Sequence, residues 1–366
     1  MTTTRAAVLR GHDRTFAVED VELGPLRPDE ILVRIAGVGM CHTDMMPRDP
    51  GFAARLGPVV LGHEGSGTVE QVGSAVTRMQ VGDHVLLSFD SCGWCATCLL
   101  GAPAYCTEFS QRNMTGRRTD GTHGATDRDG APLAVRWFGQ SSFAEHAVAT
   151  ERNAVVVDRE LPLELLGPLG CGLQTGAGAV LNEMAPSAGQ SIAVFGAGAV
   201  GLAAVMAAKI AGAADIVVVD LVPGRLDLAL ELGATRTVPG DTDDVLARIV
   251  NGGPGVDFTL DTTGVPGVMR TAVACLARPG KAVLVGVGSK EVSVPPAMLA
   301  GRTLTFSLEG NSVPQLFLPK LLRFWERGLF PFEKLVRTYS LDDINQAESD
   351  AIAGTTVKPV LLPARR

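Results

Sequence analysis

Apolar positions change their rhythm along this chain, and the change predicts two kinds of architecture. From Arg5 to about Thr150, short Val/Ile/Leu runs are broken by Gly, Pro and Asp, as in EILVRIAGVG at 30–39 and GTVEQVG at 67–73. Such spacing predicts a small, mostly antiparallel barrel with long loops. From about 173 the pattern alternates strand with helix: SIAVFG, VGLAAVMAAKIAGA, DIVVVD, PGRLDLALELGA, VDFTLDTTG and KAVLVGVG. Apolar strands separated by helices of ordinary length form right-handed crossovers on a parallel sheet, so this half predicts a doubly wound domain. Past roughly 310 the pattern is mixed, and VKPVLL near the end reads as a strand returning to the first domain. TAVACLARPG reads as a helix carrying Cys275 as a small buried hydrophobe, and the polar RRTDGTHGATDRDGAPL at 117–133 as a solvated loop.

The stretch Ile192–Ala208 is uncharged but broken by three glycines at its start, and Lys209 ends it. It is too short for a bilayer span, which needs ~20 residues, and reads as a buried strand, turn and helix. With 366 residues the chain is long enough for two domains. Its 46% hydrophobic content excludes disorder, and a net charge of −7 argues against nucleic acid or anionic membrane as a partner. No secretory signal is evident, so a cytoplasmic location is expected.

Chemistry concentrates in three places. Cys92, Cys95, Cys98 and Cys106, in CGWCATCLLGAPAYC, have the spacing of a closed tetrahedral zinc shell; an iron–sulfur cluster is the alternative. Cys41 in GMCHTD, His63 and Glu64 in LGHEGSG, and Cys171 in LGCGLQTG offer two thiolates and an imidazole. That set leaves a fourth zinc position open to substrate. Finally, Gly196, Gly198 and Gly201 make GxGxxG between a strand and a helix, a turn that admits a pyrophosphate. Asp220 ends the next strand nineteen residues on, where a carboxylate holds ribose hydroxyls and repels a 2′-phosphate, which predicts NAD over NADP.

Together the four-cysteine lobe, GHEGSG, the Cys171 phrase, GxGxxG and GTTVKPVL resemble the zinc-dependent medium-chain alcohol dehydrogenases over essentially the whole chain. CHTD, LLSFDSCGWC, GLQTGAGAV, LEGNSVPQ and FPFEKLVRTYSLDDINQA are most similar to the bacterial benzyl or aryl-alcohol dehydrogenases. The resemblance implies an α/β protein: a GroES-like, mostly-β catalytic domain over 1–172 and 309–366, with a structural zinc lobe near 90–107, and a Rossmann NAD-binding domain over 173–308. It implies two zinc ions per chain, a catalytic one on Cys41, His63 and Cys171 and a structural one on the four clustered cysteines. Glu64 would stand behind the catalytic metal, Asp44 would fix the His63 ring, and Thr43 would take the alcohol's proton. His42 and Lys358 would approach the pyrophosphate, Arg225 the ribose beside Asp220, and Thr175 the nicotinamide, with Val200 and Val287 among the cofactor contacts. Phe89, Trp137, Phe138 and Leu308, with Val287, would line the substrate channel. Three aromatic rings there favour a flat apolar alcohol, oxidised to its aldehyde with hydride transfer to NAD.

The expected substrates are therefore primary aromatic or allylic alcohols, including terpenoid ones, and the expected assembly is a homodimer or homotetramer. A thiol-adduct formaldehyde dehydrogenase and a non-catalytic nucleotide-binding relative are the competing readings. One position departs from the family: Met46 stands where many members carry a proton-relaying histidine.

Overall fold

The computed structural model describes residues 2–288 and 290–363, which form two compact units. Of the described residues, the first comprises 2–171, 313–319 and 333–363, and the second 172–288, 290–312 and 320–332. The division differs from the expected boundaries in assigning 309–312 and 320–332 to the second unit. The turn Glu309–Asn311 is held there by Asn182, whose Nδ2 donates to the Gly310 carbonyl at 3.2 Å. Trp325, Phe330 and Phe332 likewise stack on one another within that unit.

In the first unit a closed barrel runs Thr2–Leu9, Ala17–Leu23, Gly124–Asp127, Pro132–Ala134 and Val59–Val60. All its pairings are antiparallel except the last two strands with each other. The barrel corrects the expectation of a solvated loop at 117–133, because two of its strands lie inside that segment. The polar run DRDG is a hairpin turn: the Asp127 carboxylate accepts from the backbone N–H groups of Asp129 and Ala131, and Gly130 takes a φ of 78°. Turn chemistry explains the polarity. A second, seven-stranded sheet centres on Glu30–Gly39, which pairs with Glu64–Val72, His146–Thr150 and the returning strand Lys358–Leu362.

The second unit is a six-stranded parallel sheet in the order Arg236–Pro239, Asp215–Asp220, Ser191–Phe195, Val256–Asp261, Leu276–Leu284 and Arg302–Phe306. This is the doubly wound order, and its direction reverses beside Ser191–Phe195, where such sheets bind ligands. The uncharged stretch at 192–208 becomes the buried strand Ser191–Phe195 and the helix Ala199–Ile210, which is buried from Gly201 to Ala208. Among the described residues no helix is long and apolar enough to cross a membrane. One helix differs from expectation. It spans Pro266–Ala274, and the chain is already in a strand from Leu276, since Pro279 and Gly280 oppose helix continuation. Cys275 is fully buried at the junction and sits in the core with Val256 and Ala272.

Candidate active site

The four cysteines of the 92–106 segment converge because the loop folds tightly onto itself. Gly93 takes a φ of 86°, and a short helix Ala96–Leu99 and a 3-10 turn Pro103–Tyr105 bring the later cysteines back. Sγ of Cys92 lies 3.9 Å from that of Cys98, and Sγ of Cys95 lies 4.0 Å from that of Cys106. Four sulfurs at ~2.3 Å from one zinc ion stand ~3.8 Å apart, so the spacing fits. All four lie within 4.8 Å of one another, too close for thiolates spread around several iron atoms. Backbone N–H groups of Cys92, Cys95 and Glu108 already donate to the sulfurs. The thiols titrate against one another: the Thr97 hydroxyl draws Cys95 down to about 5, while burial pushes Cys106 up to about 12. A divalent cation at their centre resolves that conflict, because it favours the ionised form of all four.

The second cluster is assembled from distant segments. Cys41 follows Glu30–Gly39, His63 precedes Glu64–Val72, and Cys171 follows the 3-10 turn Gly167–Gly170. The ligand atoms of Cys41, His63, Glu64 and Cys171 all lie within 4.8 Å of one another, and His63 Nε2 is 3.2 Å from Cys171 Sγ. His63 Nδ1 lies 2.7 Å from Asp44 Oδ1, so the ring donates there and turns Nε2 toward the two sulfurs. Burial acts to depress the His63 pKa, yet Asp44 outweighs it and holds the value well above the ordinary range. The neighbouring Cys171 holds the Cys41 thiol well below its ordinary range, against the opposing effect of burial. The same field that retains charge on these groups retains a metal cation. Thr43 places its hydroxyl 3.8 Å from Cys41 Sγ.

Lys358, expected to approach the pyrophosphate, has partners of its own within the first unit. Its ammonium is 2% exposed and donates to both Glu64 oxygens, at 3.0 and 2.9 Å, and to the Met40 carbonyl at 3.2 Å. A buried ammonium needs such a partner, and Glu64 more than offsets the burial that would lower the Lys358 pKa. Close approach of the chains makes room for the pair, since a Cβ on Gly39 would lie 2.0 Å from Glu64 Oε2. His42, by contrast, is exposed.

Phe89, Trp137 and Phe138 are all buried, at 3%, 0% and 4% exposure, and build an aromatic cluster on the histidine. The Phe138 ring lies 4.5 Å from that of His63 and touches Trp137 at 5.3 Å and Phe109 at 6.3 Å. Phe89 joins through Phe109, and Phe52 meets Trp137 edge-on at 5.7 Å. Phe138 takes a φ of 50°, a strained value for a bulky side chain. Three members escape the sequence reading: Phe52, Phe109 and the fully buried Gln140. Gln140 donates to the His63 carbonyl at 2.9 Å and accepts from Gly65 N–H at 3.0 Å, gripping the backbone on both sides of Glu64. The only local signal is a polar residue within an apolar run, FGQSSF.

The glycine turn lies in the second unit, at the sheet's reversal. Gly196 takes a φ of 94°, and a Cβ on Gly201 would stand 1.8 Å from the Gly196 carbonyl. A Cβ on Gly198 would meet nothing, so the turn at the helix N-terminus opens to a ligand. Asp220 accepts from Ala197 N–H at 2.6 Å and Val222 N–H at 2.8 Å, which fixes its carboxylate beside that turn. The buried Nε of Arg225 has no protein partner. This orphaned donor near a fixed carboxylate and an open glycine turn fits a nucleotide's ribose and phosphates. In the same unit, Val200 opens the helix Ala199–Ile210, Thr175 is half-buried on the helix Gly172–Gly178, Leu308 is half-buried and Val287 is 53% exposed.

Comparison with known proteins supplies the remaining context. An alcohol dehydrogenase GroES-like domain matches residues 27–159, and a zinc-binding dehydrogenase domain matches 199–324. Geraniol dehydrogenase of Castellaniella defragrans is 46% identical over 98% of this chain and 97% of its own length. A crystal structure of an alcohol dehydrogenase zinc-binding domain protein from Burkholderia ambifaria superimposes with a TM-score of 0.96 at 46% identity, covering 99% of both chains. That of benzyl alcohol dehydrogenase from Acinetobacter calcoaceticus gives 0.95 at 41% identity over the whole of both chains.

Proposed function

The chain belongs to the zinc-dependent alcohol dehydrogenases, and from that premise we propose that it oxidises primary aromatic or allylic alcohols, terpenoid ones included, with NAD as acceptor. The observation that carries the substrate class is the aromatic cluster seated on His63, with Phe138 at 4.5 Å from the ligand ring. Such rings make the surroundings of the metal ligands aromatic and apolar, a setting that favours a flat π-system over ethanol. The relatives named for geraniol and benzyl alcohol point the same way.

When bound, zinc supplies a Lewis acid and NAD a hydride acceptor. The chain's own residues do the rest. Cys41, His63 and Cys171 would hold the ion through three side chains, which would leave it able to act on the substrate alcohol. The Thr43 hydroxyl accepts the alcohol's hydrogen bond and, as it takes that proton, gives up its own toward solvent, and the buried rings exclude water from the reacting atoms. Asp44 holds His63 in the tautomer that ligates. Asp220 accepts hydrogen bonds from the adenosine ribose and repels a 2′-phosphate. The protein works as a homodimer or homotetramer in the cytoplasm.

A substrate screen tests the reading. With NAD, kcat/KM for benzyl, cinnamyl and geranyl alcohols is expected to exceed that for ethanol by at least about tenfold, the scale a few apolar contacts supply. Equal values overturn the substrate class. Replacing NAD by NADP is expected to lower kcat/KM, and Asp220→Ala to narrow that gap; an unchanged ratio removes Asp220 from the cofactor site.

A further inference from the structure

We infer that Trp137 is a positioning residue that holds the metal ligand His63 in place through Asp44, by way of its indole N–H. This rests on the reading of Cys41, His63 and Cys171 as a zinc site. Trp137 is fully buried, and a buried indole N–H has to find an acceptor. It donates to Asp44 Oδ1 at 3.1 Å. The same oxygen accepts from Gly62 N–H at 3.0 Å and faces His63 Nδ1 at 2.7 Å, while Oδ2 accepts from Cys41 N–H at 3.1 Å. Oδ1 thus takes three donors and Oδ2 one, so the crowded oxygen is the one that faces His63.

The origin of those donors matters. Three of them, on Cys41, Gly62 and His63, belong to the ligand-bearing segments that Asp44 itself orients. Trp137 alone reaches Asp44 from elsewhere in the fold, so it is the external fixed point of the set. It is itself firmly held. Its backbone N–H donates to Ser141 Oγ at 2.8 Å, Ser141 N–H donates back to the Trp137 carbonyl at 3.0 Å, and Ser141 Oγ donates to the Val60 carbonyl at 2.6 Å. Phe52 and Phe138 pin the ring from its edges at 5.7 and 5.3 Å. Without the indole N–H, the donors left on Oδ1 are those of Gly62 and His63, both in the segment that Asp44 orients, so the carboxylate is free to turn about its own bond and carries the His63 ring with it. Partners one step out from a metal set ligand orientation and are typically worth about 10- to 100-fold in metal affinity or activity.

The test compares the intact protein with Trp137→Phe and with a form carrying β-(3-benzothienyl)alanine at 137, which keeps the indole's shape but replaces the N–H by sulfur. Zinc transfer to a colorimetric chelator is followed, with the four-cysteine site as internal reference. The expected result is that one zinc per chain leaves about tenfold faster or more, the other leaves at the wild-type rate, and the cobalt-substituted isostere shows altered visible bands. Phe52→Leu removes a ring contact but not the N–H, and it is expected to release zinc as the wild type does. Wild-type release from the isostere, or a change confined to KM for the alcohol, overturns the inference, as does equally fast release from Phe52→Leu. If Trp137→Phe fails to fold, the isostere alone decides. A wild-type protein holding one zinc per chain instead of two defeats the underlying site reading before any variant is compared.

Discussion

The two cysteine clusters use the same element for opposite purposes. The four-cysteine lobe is drawn from fifteen consecutive residues and has almost no apolar core: Trp94, Leu99 and Leu100 remain 64%, 74% and 84% exposed. Its centre is the metal. The Cys41–His63–Cys171 cluster is drawn from segments far apart in sequence, and each ligand is backed by buried side chains that would stand there without a cation. In the lobe, metal binding substitutes for hydrophobic burial; at the active site, burial has already taken place and the metal is left free for chemistry. The lesson is that ligand identity says little about whether a zinc site supports the fold or uses it, whereas the surroundings of the ligands say a great deal.

Removing one ligand from the lobe puts this contrast to its hardest test. Apparent zinc binding energies of ~10–16 kcal/mol in small metal-folded domains are folding energies, so Cys95→Ser is expected to lose one zinc and lower the thermal midpoint by about ten degrees or more. Metal content and Tm are measured together, and wild-type values for both would erase the distinction. The next largest effect probes the buried scaffold of the other site. Lys358→Met leaves the buried Glu64 carboxylate without its ammonium partner, with an expected loss of about 3–5 kcal/mol in denaturant unfolding. Adding Glu64→Gln should recover a substantial part of that loss, and a double variant as unstable as the single one would show that the pair's charge is immaterial.

The smallest effect concerns proton traffic at the active site. Met46→His introduces the relay histidine that the family resemblance leads one to expect at this position. A positioned base contributes about 10²-fold or more only where its proton transfer limits turnover. With cofactor release limiting, kcat near neutral pH should stay within about twofold, and the change should fall on the pH profile of kcat/KM. A tenfold rise in kcat at pH 7 would show that proton exit is the bottleneck.

What could be read in advance follows from how local each signal is. The lobe is one short loop, and GxGxxG with its strand and Asp220 is one crossover unit, so spacing alone defines them. The doubly wound half was legible for the same reason, since each strand and helix carries its own apolar pattern. The hairpin inside 117–133 was hidden because Asp127 and Gly130 make a turn as polar as any loop. Gln140 and the Trp137 N–H were hidden more deeply. Their partners lie 77 and 93 residues away, at His63 and Asp44, and nothing in a buried aromatic or a lone glutamine specifies such a partner. The pairing of Lys358 was hidden in the same way, because nothing near it in sequence specifies Glu64 as its partner. Sequence correspondence gave the residue, but its ammonium is committed to Glu64.

That commitment also has a cost in time. Glu64 and Lys358 are separated by 294 residues, and residues 172–312 of the second unit lie between them in the sequence. At the ~5–20 residues per second of protein synthesis, the Glu64 carboxylate waits roughly 15–60 s after leaving the ribosome's active centre before its counter-ion is made. During that interval the strand Lys358–Leu362, which carries the counter-ion and pairs with Glu30–Gly39, has not been made. The metal-binding half therefore reaches its final strand pairing only after residues 172–312 have been translated.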